Sequence, residues 1–279
     1  MAHLIAYVGN EPENLACALF SARNALYWPG RLDGWGLGFV QGGDVLLQKR
    51  PRVETGEVDL YGHIKDLRAD AVVARVGSGQ DSNAPAEDVD PFRFRSWLFG
   101  SVGEISETGF EAVRERLLES VPDFLRRNIR GKSASEHIFH LFLAFLHDAG
   151  SLDAVSPPPA LVHGALRNSM AFLDRLLMGG SGPTSALKLA LVATNGRCFV
   201  AANGAHPLRY LHVEGISDCP LPHGRVEHDR SGRRIPHESL NAVIVEANRA
   251  IETRGGWRDV PERSVLIVGA DRLPVVSPL

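Results

Sequence analysis

Residues 1–10 read MAHLIAYVGN, and within them HLIAYV (3–8) is an unbroken apolar run closed by Gly9, the pattern of a buried strand. Outward from it, Leu15, Ala18, Leu19 and Ala22 keep helical spacing until the Pro29-Gly30 stop. Gly42-Gly43 separates WGLGFV from DVLLQK, which predicts a hairpin. AVVARV (71–76) is a second buried-strand candidate, and 77–95, rich in Gly, Ser, Asp and Pro, reads as a loop of the kind that carries function. Strand character resumes in SWLFGSV (96–102).

Helical spacing then dominates. Phe110, Val113, Leu117 and Leu118 share a face, continued by Val121, Phe124 and Leu125 despite Pro122. A second helix runs from His137 to His147, with Ser133 or Ser135 as cap and Glu136 in its first turn. Pro157-Pro158-Pro159 marks a linker before a third helix over Ala160–Leu177, which stops at GGSGP. The remainder returns to strands: LKLALVAT, RCFVAAN, LRYLHV, NAVIVEA, SVLIVGA and LPVV. Residues 214–240 are polar, basic and histidine-bearing, as expected of an insertion. Strands, a block of helices, then more strands predict two sheets with helices outside them, an α/β or α+β protein.

The bulk properties exclude several functions. Over 279 residues, 44% are hydrophobic and 23% charged, ordinary globular usage that allows one large domain. A net charge of −3 gives no basic field for nucleic acid, and no apolar run is long enough to span a bilayer. The start lacks the basic-then-apolar order of a signal peptide. Cys17, Cys198 and Cys219 are odd in number and scattered without metal spacing, which predicts reduced thiols in a cytoplasmic protein.

MAHLIAYVGN, DGWGLGF (33–39), SWLFGSVGEI (96–105) and SASEHIFHLFLAFL (133–146), in this order, resemble the class II glutamine amidotransferases, and GWRDVPERSVLIVGADRLPV (256–275) resembles that family's closing segment. The resemblance covers nearly the whole chain. It implies an α+β fold, the four-layer αββα sandwich of the N-terminal-nucleophile hydrolases, as a single domain over 1–279 with the polar insertion near 214–240. It also implies a site built from an N-terminal cysteine, an oxyanion donor, a carboxylate clamp and a partner for the substrate amine.

Those reactive positions carry other residues here. The nucleophile's place is taken by Ala2, whose methyl cannot attack a carbonyl. Ala74-Arg75-Val76-Gly77 matches the family's Ala-His-Val-Arg, so Gly77 falls where the carboxylate-binding arginine stands and Arg75 where the histidine stands. Asp88-Val89-Asp90-Pro91-Phe92 matches Asn-x-His-Pro-Phe and keeps only the Pro-Phe pair. Ser101-Val102-Gly103 matches His-Asn-Gly, which replaces the oxyanion donor by the isopropyl group of Val102. Ala134-Ser135-Glu136 matches Asp-Ser-Glu, which removes the amine's partner at Ala134. The framework positions Asp33, Gly34, Trp35, Gly36, Trp97, Phe99, Gly103, Ile105, Ser135, Glu136, Phe139 and Trp257 are kept.

The resulting expectation is an amidotransferase-like protein without catalysis, a binding or regulatory module that uses no cofactor or metal and meets a protein partner, a small molecule or a second copy of itself. The alternative is a glutaminase or amide hydrolase in which alanine stands at position 2 in place of a native cysteine. A third reading, a different nucleophile at Ser78 or Ser101, lacks a paired base. As loop residues, Asp88 and Asp90 are expected to face water by default, and with Arg75 to line a new polar pocket otherwise. His137 and His140 share a helix face without a carboxylate at metal spacing, so ordinary helix histidines are expected. Arg225, Arg230, Arg233 and Arg234, with His223, His228 and His237, form a basic stretch expected to be solvated, or to dock an acidic partner. GGSG (179–182) lacks phosphate-loop spacing, and VGSGQ (76–80) follows a strand but has no helix signal after it to aim amides at an anion.

Overall fold

The computed structural model describes residues 2–29, 34–51, 57–77, 85–104, 107–178, 188–219, 221, 236–247 and 255–279. Asp33, Ser78, Ile105, the GGSG run, His223, His228 and the arginines Arg225, Arg230, Arg233 and Arg234 lie outside the described residues.

In chain order the first strands are β1 (His3–Gly9), β2 (Tyr27–Pro29), β3 (Gly34–Gln41), β4 (Asp44–Arg50), β5 (Glu57–Asp59), β6 (Ala71–Gly77), β7 (Phe92–Phe94) and β8 (Trp97–Glu104). The later ones are β9 (Lys188–Thr194), β10 (Phe199–Gly204), β11 (Leu208–Ile216), β12 (His237–Ala247), β13 (Trp257–Asp259), β14 (Ser264–Val268) and β15 (Pro274–Pro278). The helices are α1 (Leu15–Phe20), α2 (Leu60–Ile64), α3 (Glu107–Glu119), α4 (Asp123–Arg126), α5 (Ala134–Asp148) and α6 (Pro159–Met178).

One sheet has the order β13-β11-β12-β1-β6-β3-β4, a second has β15-β14-β10-β9-β8-β7, and β2 pairs with β5 apart from both. Neighbouring strands in both sheets are antiparallel.

Three slabs of core separate four layers. In β1, Leu4, Ala6 and Val8 point between the sheets, where they meet Val73, Leu98, Val192, Phe199 and Leu266. Ile5 and Tyr7 point the other way, onto Leu15, Leu19, Leu60 and Ile64 of α1 and α2. This is why HLIAYV has no polar alternation: both faces of the strand are buried. β9 does the same in the second sheet, with Ala190 and Val192 between the sheets and Leu189, Leu191 and Ala193 against the helices. Trp97, Phe99, Phe139, Phe142, Leu166 and Leu173 fill that outer slab. The layers are therefore α1 and α2, first sheet, second sheet, then α3 to α6: the αββα sandwich.

Some boundaries differ from the sequence reading. Pro122 separates α3 from α4, because its ring cannot continue the helical ladder. The polar stretch narrows to 217–236: β11 runs to Ile216 and β12 opens at His237, and the two pair there. β2, β5 and α2 have no counterpart in the predicted elements. Among the described residues no helix is long and apolar enough to cross a membrane.

Candidate functional site

Strand register sets the centre of the site. His3 pairs with Val76 on β6, so Ala2, one residue earlier, lies beside Gly77. A Cβ built on Gly77 would lie 3.1 Å from the Ala2 Cβ. The two positions at which the resemblance expects a thiol and a guanidinium thus face each other, and they hold a methyl group and a hydrogen. Across the inter-sheet core, Val102 is buried on β8 among apolar side chains. Gly103 follows with φ +137, and a Cβ there would lie 2.1 Å from the carbonyl oxygen of Lys188 on β9. Only glycine fits that backbone without strain.

The charged residues near this centre are bound to one another. Asp90 is 1% exposed, contrary to the expectation of a water-facing loop. Its Oδ1 accepts the Ser101 amide at 2.8 Å and the Ser135 hydroxyl at 2.6 Å. The Ser101 hydroxyl donates in turn to Ser135 Oγ, 2.7 Å away. The other oxygen, Oδ2, lies 3.9 Å from Arg75 Nε on β6. The loop reaches this depth because β3 lets it in: a Cβ on Gly36 would lie 1.9 Å from the Asp90 carbonyl oxygen. Desolvating a carboxylate is tolerated only where hydrogen bonds and a counter-charge replace water, and Asp90 has both. Ser101 sits in this buried chain rather than on a cleft wall.

Asp88 is half-buried. Its Oδ1 accepts the amides of Lys132 at 2.5 Å and Ser133 at 2.8 Å, just ahead of α5. Glu136, in the first turn of α5, accepts the amides of Arg130 at 3.1 Å and Gly131 at 2.7 Å. Two carboxylates therefore fold residues 130–133 around themselves, and Ser133 is the N-cap residue without a side-chain cap bond. Ala134 opens α5 and packs against the outer core. His137 and His140 are buried helix histidines, each with Nδ1 donating to the carbonyl four residues back, at 2.8 Å in both cases. Burial pushes the His140 imidazole down to about 4.

Among the described residues, Ala2, Gly77, Arg75, Asp90, Ser101 and Val102 come together, while Asp88 and Ala134 belong to the α5 anchor alongside. A cavity of about 800 Å³ opens beside the α5 anchor, lined by Lys49, Glu87, Arg93, Arg95, Arg130 and Glu136 among others. Sequence spacing missed a further convergence. Cys17, Cys219 and His237, all buried, bring their ligand-type atoms within 4.8 Å of one another. Two of the three supposedly scattered cysteines are thus neighbours, and His237 is a buried strand residue, not part of a solvated loop.

The layers, the strand order and the placement of β1 give the chain the fold seen in solved class II glutamine amidotransferase domains. Among solved structures, 99% of the chain is similar to 98% of a glutamine aminotransferase class-II domain protein from Silicibacter pomeroyi, at 17% identity and TM-score 0.59. A predicted glutamine amidotransferase from Pseudomonas aeruginosa is matched over 96% of its length, at 12% identity and TM-score 0.58. Glutamine phosphoribosylpyrophosphate amidotransferase from B. subtilis, complexed with ADP and GMP, is matched over 49% of its length at 14% identity and TM-score 0.51. No protein-family model matches the chain, and no curated protein matches it by sequence.

Proposed function

We propose that this protein is a catalytically inactive, amidotransferase-like binding or regulatory module. The observation that carries the reading is the Ala2–Gly77 pair: adjacent positions on paired strands that hold neither nucleophile nor clamp. Loss of one oxyanion donor costs roughly 10²–10³ in rate and leaves an enzyme. Here the donor position is a core valine, the amine's partner is Ala134, and the nearby charges of Arg75 and Asp90 are paired with each other. On this reading, no side chain among the described residues of this centre is placed to attack an amide or to orient an amino acid. Assay of ammonia release from glutamine, γ-amides and γ-glutamyl peptides tests this; turnover above a heat-killed control overturns it.

The solved structures named as glutamine amidotransferases favour a second reading, a glutaminase whose native residue at position 2 is cysteine. The second codon of the native gene discriminates the two. Partner binding, in the first reading, falls to Arg225, Arg230, Arg233 and Arg234, whose attraction to an acidic surface weakens with salt. Reversing all four to glutamate is expected to abolish co-purification of a native partner; unchanged recovery removes these arginines from the interface.

A further inference from the structure

The strongest concentration of chemistry outside the cleft is on the far face of the first sheet. Cys17 projects from α1, Cys219 follows the end of β11, and His237 is the first residue of β12. β11 and β12 pair at Ile216 and His237, which brings Cys219 and His237 to one sheet end although 17 residues lie between them in sequence. α1 packs on the same face of the sheet. Exposures of 4%, 0% and 8% put all three residues in the interior.

We propose that Cys17, Cys219 and His237 form a zinc site, two thiolates and one imidazole, with the fourth position open to water or another ligand. The donor types select the ion. Thiolate sulfur disfavours Mg²⁺ and Ca²⁺, which take oxygen, and suits Zn²⁺. Bond lengths of about 2.3 Å to sulfur and 2.0–2.1 Å to nitrogen, in tetrahedral geometry, set neighbouring ligand atoms about 3.5–3.8 Å apart. The present spread of at most 4.8 Å is within a small side-chain adjustment of that spacing. Without metal, the Cys17 and Cys219 thiols are in hydrogen-bond contact. Binding replaces the two S–H bonds by two S–Zn bonds and releases two protons to solvent, while neutral His237 contributes a ring-nitrogen lone pair. The third cysteine, Cys198, lies in the outer core of the second sheet and does not join this group. The site ties α1 to the end of β11 and the start of β12, so its role is to fasten that helix to this sheet end. This inference is independent of whether the cleft has activity.

The test uses the full chain, reduced, stripped with a chelator and titrated with Zn²⁺ or with Co²⁺ as a spectroscopic probe. Expected are one equivalent of zinc by elemental analysis and, with Co²⁺, thiolate-to-metal charge transfer with the intense bands of a tetrahedral site. Cys17→Ser, Cys219→Ser and His237→Ala should each weaken Zn²⁺ binding by more than about 100-fold, beyond the 10- to 100-fold expected for loss of an outer hydrogen-bond partner. Cys198→Ser should leave binding unchanged. If a variant does not fold, alkylation of the wild type decides: zinc should slow labelling of Cys17 and Cys219 relative to the chelated protein. Absence of stoichiometric zinc, binding indifferent to the three substitutions, Cu(I) taken up with zinc excluded, or a Cys17–Cys219 disulfide in its place would overturn the proposal.

Discussion

Replacing His140 by leucine should flatten the acid dependence of stability. The imidazole is 2% exposed, its Nδ1 donates to the Glu136 carbonyl, and Nε2 has no hydrogen-bond partner among the described residues. The rings of Phe94 and Phe139 lie 6.2 Å and 5.5 Å from it. A second proton would have to sit on Nε2 in that apolar setting, so burial, with His137 nearby, lowers its pKa from 6.5 to about 4. The folded state keeps the neutral ring where the unfolded chain already binds a proton. Stability from this group is therefore complete above pH 6.5 and is lost as pH falls toward 4. The linkage relation gives a loss of about 2 kcal/mol between pH 7.5 and pH 5, roughly a 30-fold change in the folded-to-unfolded ratio. His140→Leu removes the titration at similar volume, for a neutral-pH cost below about 1.5 kcal/mol. Urea unfolding of both proteins at pH 7.5 and pH 5.0 isolates the effect, because the other ten histidines are common to both. If the variant loses as much stability as the wild type between those two pH values, the argument from the buried Nε2 is wrong.

Three further outcomes are expected. Asp90→Ala, which strips the acceptor from Ser101 and Ser135 and the counter-charge from Arg75, should cost about 3–5 kcal/mol in denaturant unfolding; a loss under about 1 kcal/mol would mean that solvent already satisfies the guanidinium. Gly103→Ala, forced into φ +137 with its methyl against the Lys188 carbonyl, should cost about 3 kcal/mol or more, and an unchanged melting temperature would refute the geometry at that turn. Ala2→Cys alone should give no glutaminase activity, because two missing charge contacts at about 2–5 kcal/mol each still weaken substrate binding by decades; ordinary turnover in the single variant would favour the reading of a natively catalytic site.

The inner strands were legible because they are buried on both faces, so that HLIAYV and AVVARV show no regular polar alternation, while the four-layer arrangement was legible only through the family resemblance. The short elements were not. β2 and β5 have three residues each, too few to display a period, and α2 has five. That Ala2, Gly77 and Val102 fall where the resemblance expects reactive groups could be read from motif order alone. What replaced them could not. Asp90 lies in a stretch of polar loop composition, and its burial depends on Gly36 of a different strand admitting the loop. Cys17 and Cys219 looked scattered because their approach depends on α1 packing over the end of the β11–β12 pair, a contact between segments about 200 residues apart.

The Asp90 carboxylate touches a strand of each sheet, Arg75 on β6 and Ser101 on β8, and the helical layer through Ser135, while its own carbonyl rests on β3. Four pieces of the sandwich thus meet at one residue. A family history written for such a molecule would show these polar residues persisting, clustered and intolerant of change, beside the place where the resemblance expects an active centre. Persistence of that kind is the usual mark by which catalytic groups are recognised among relatives. Here the requirement to fold would produce the same mark unaided, so invariance at Asp90, Ser101 and Ser135 would date the architecture and say nothing about chemistry.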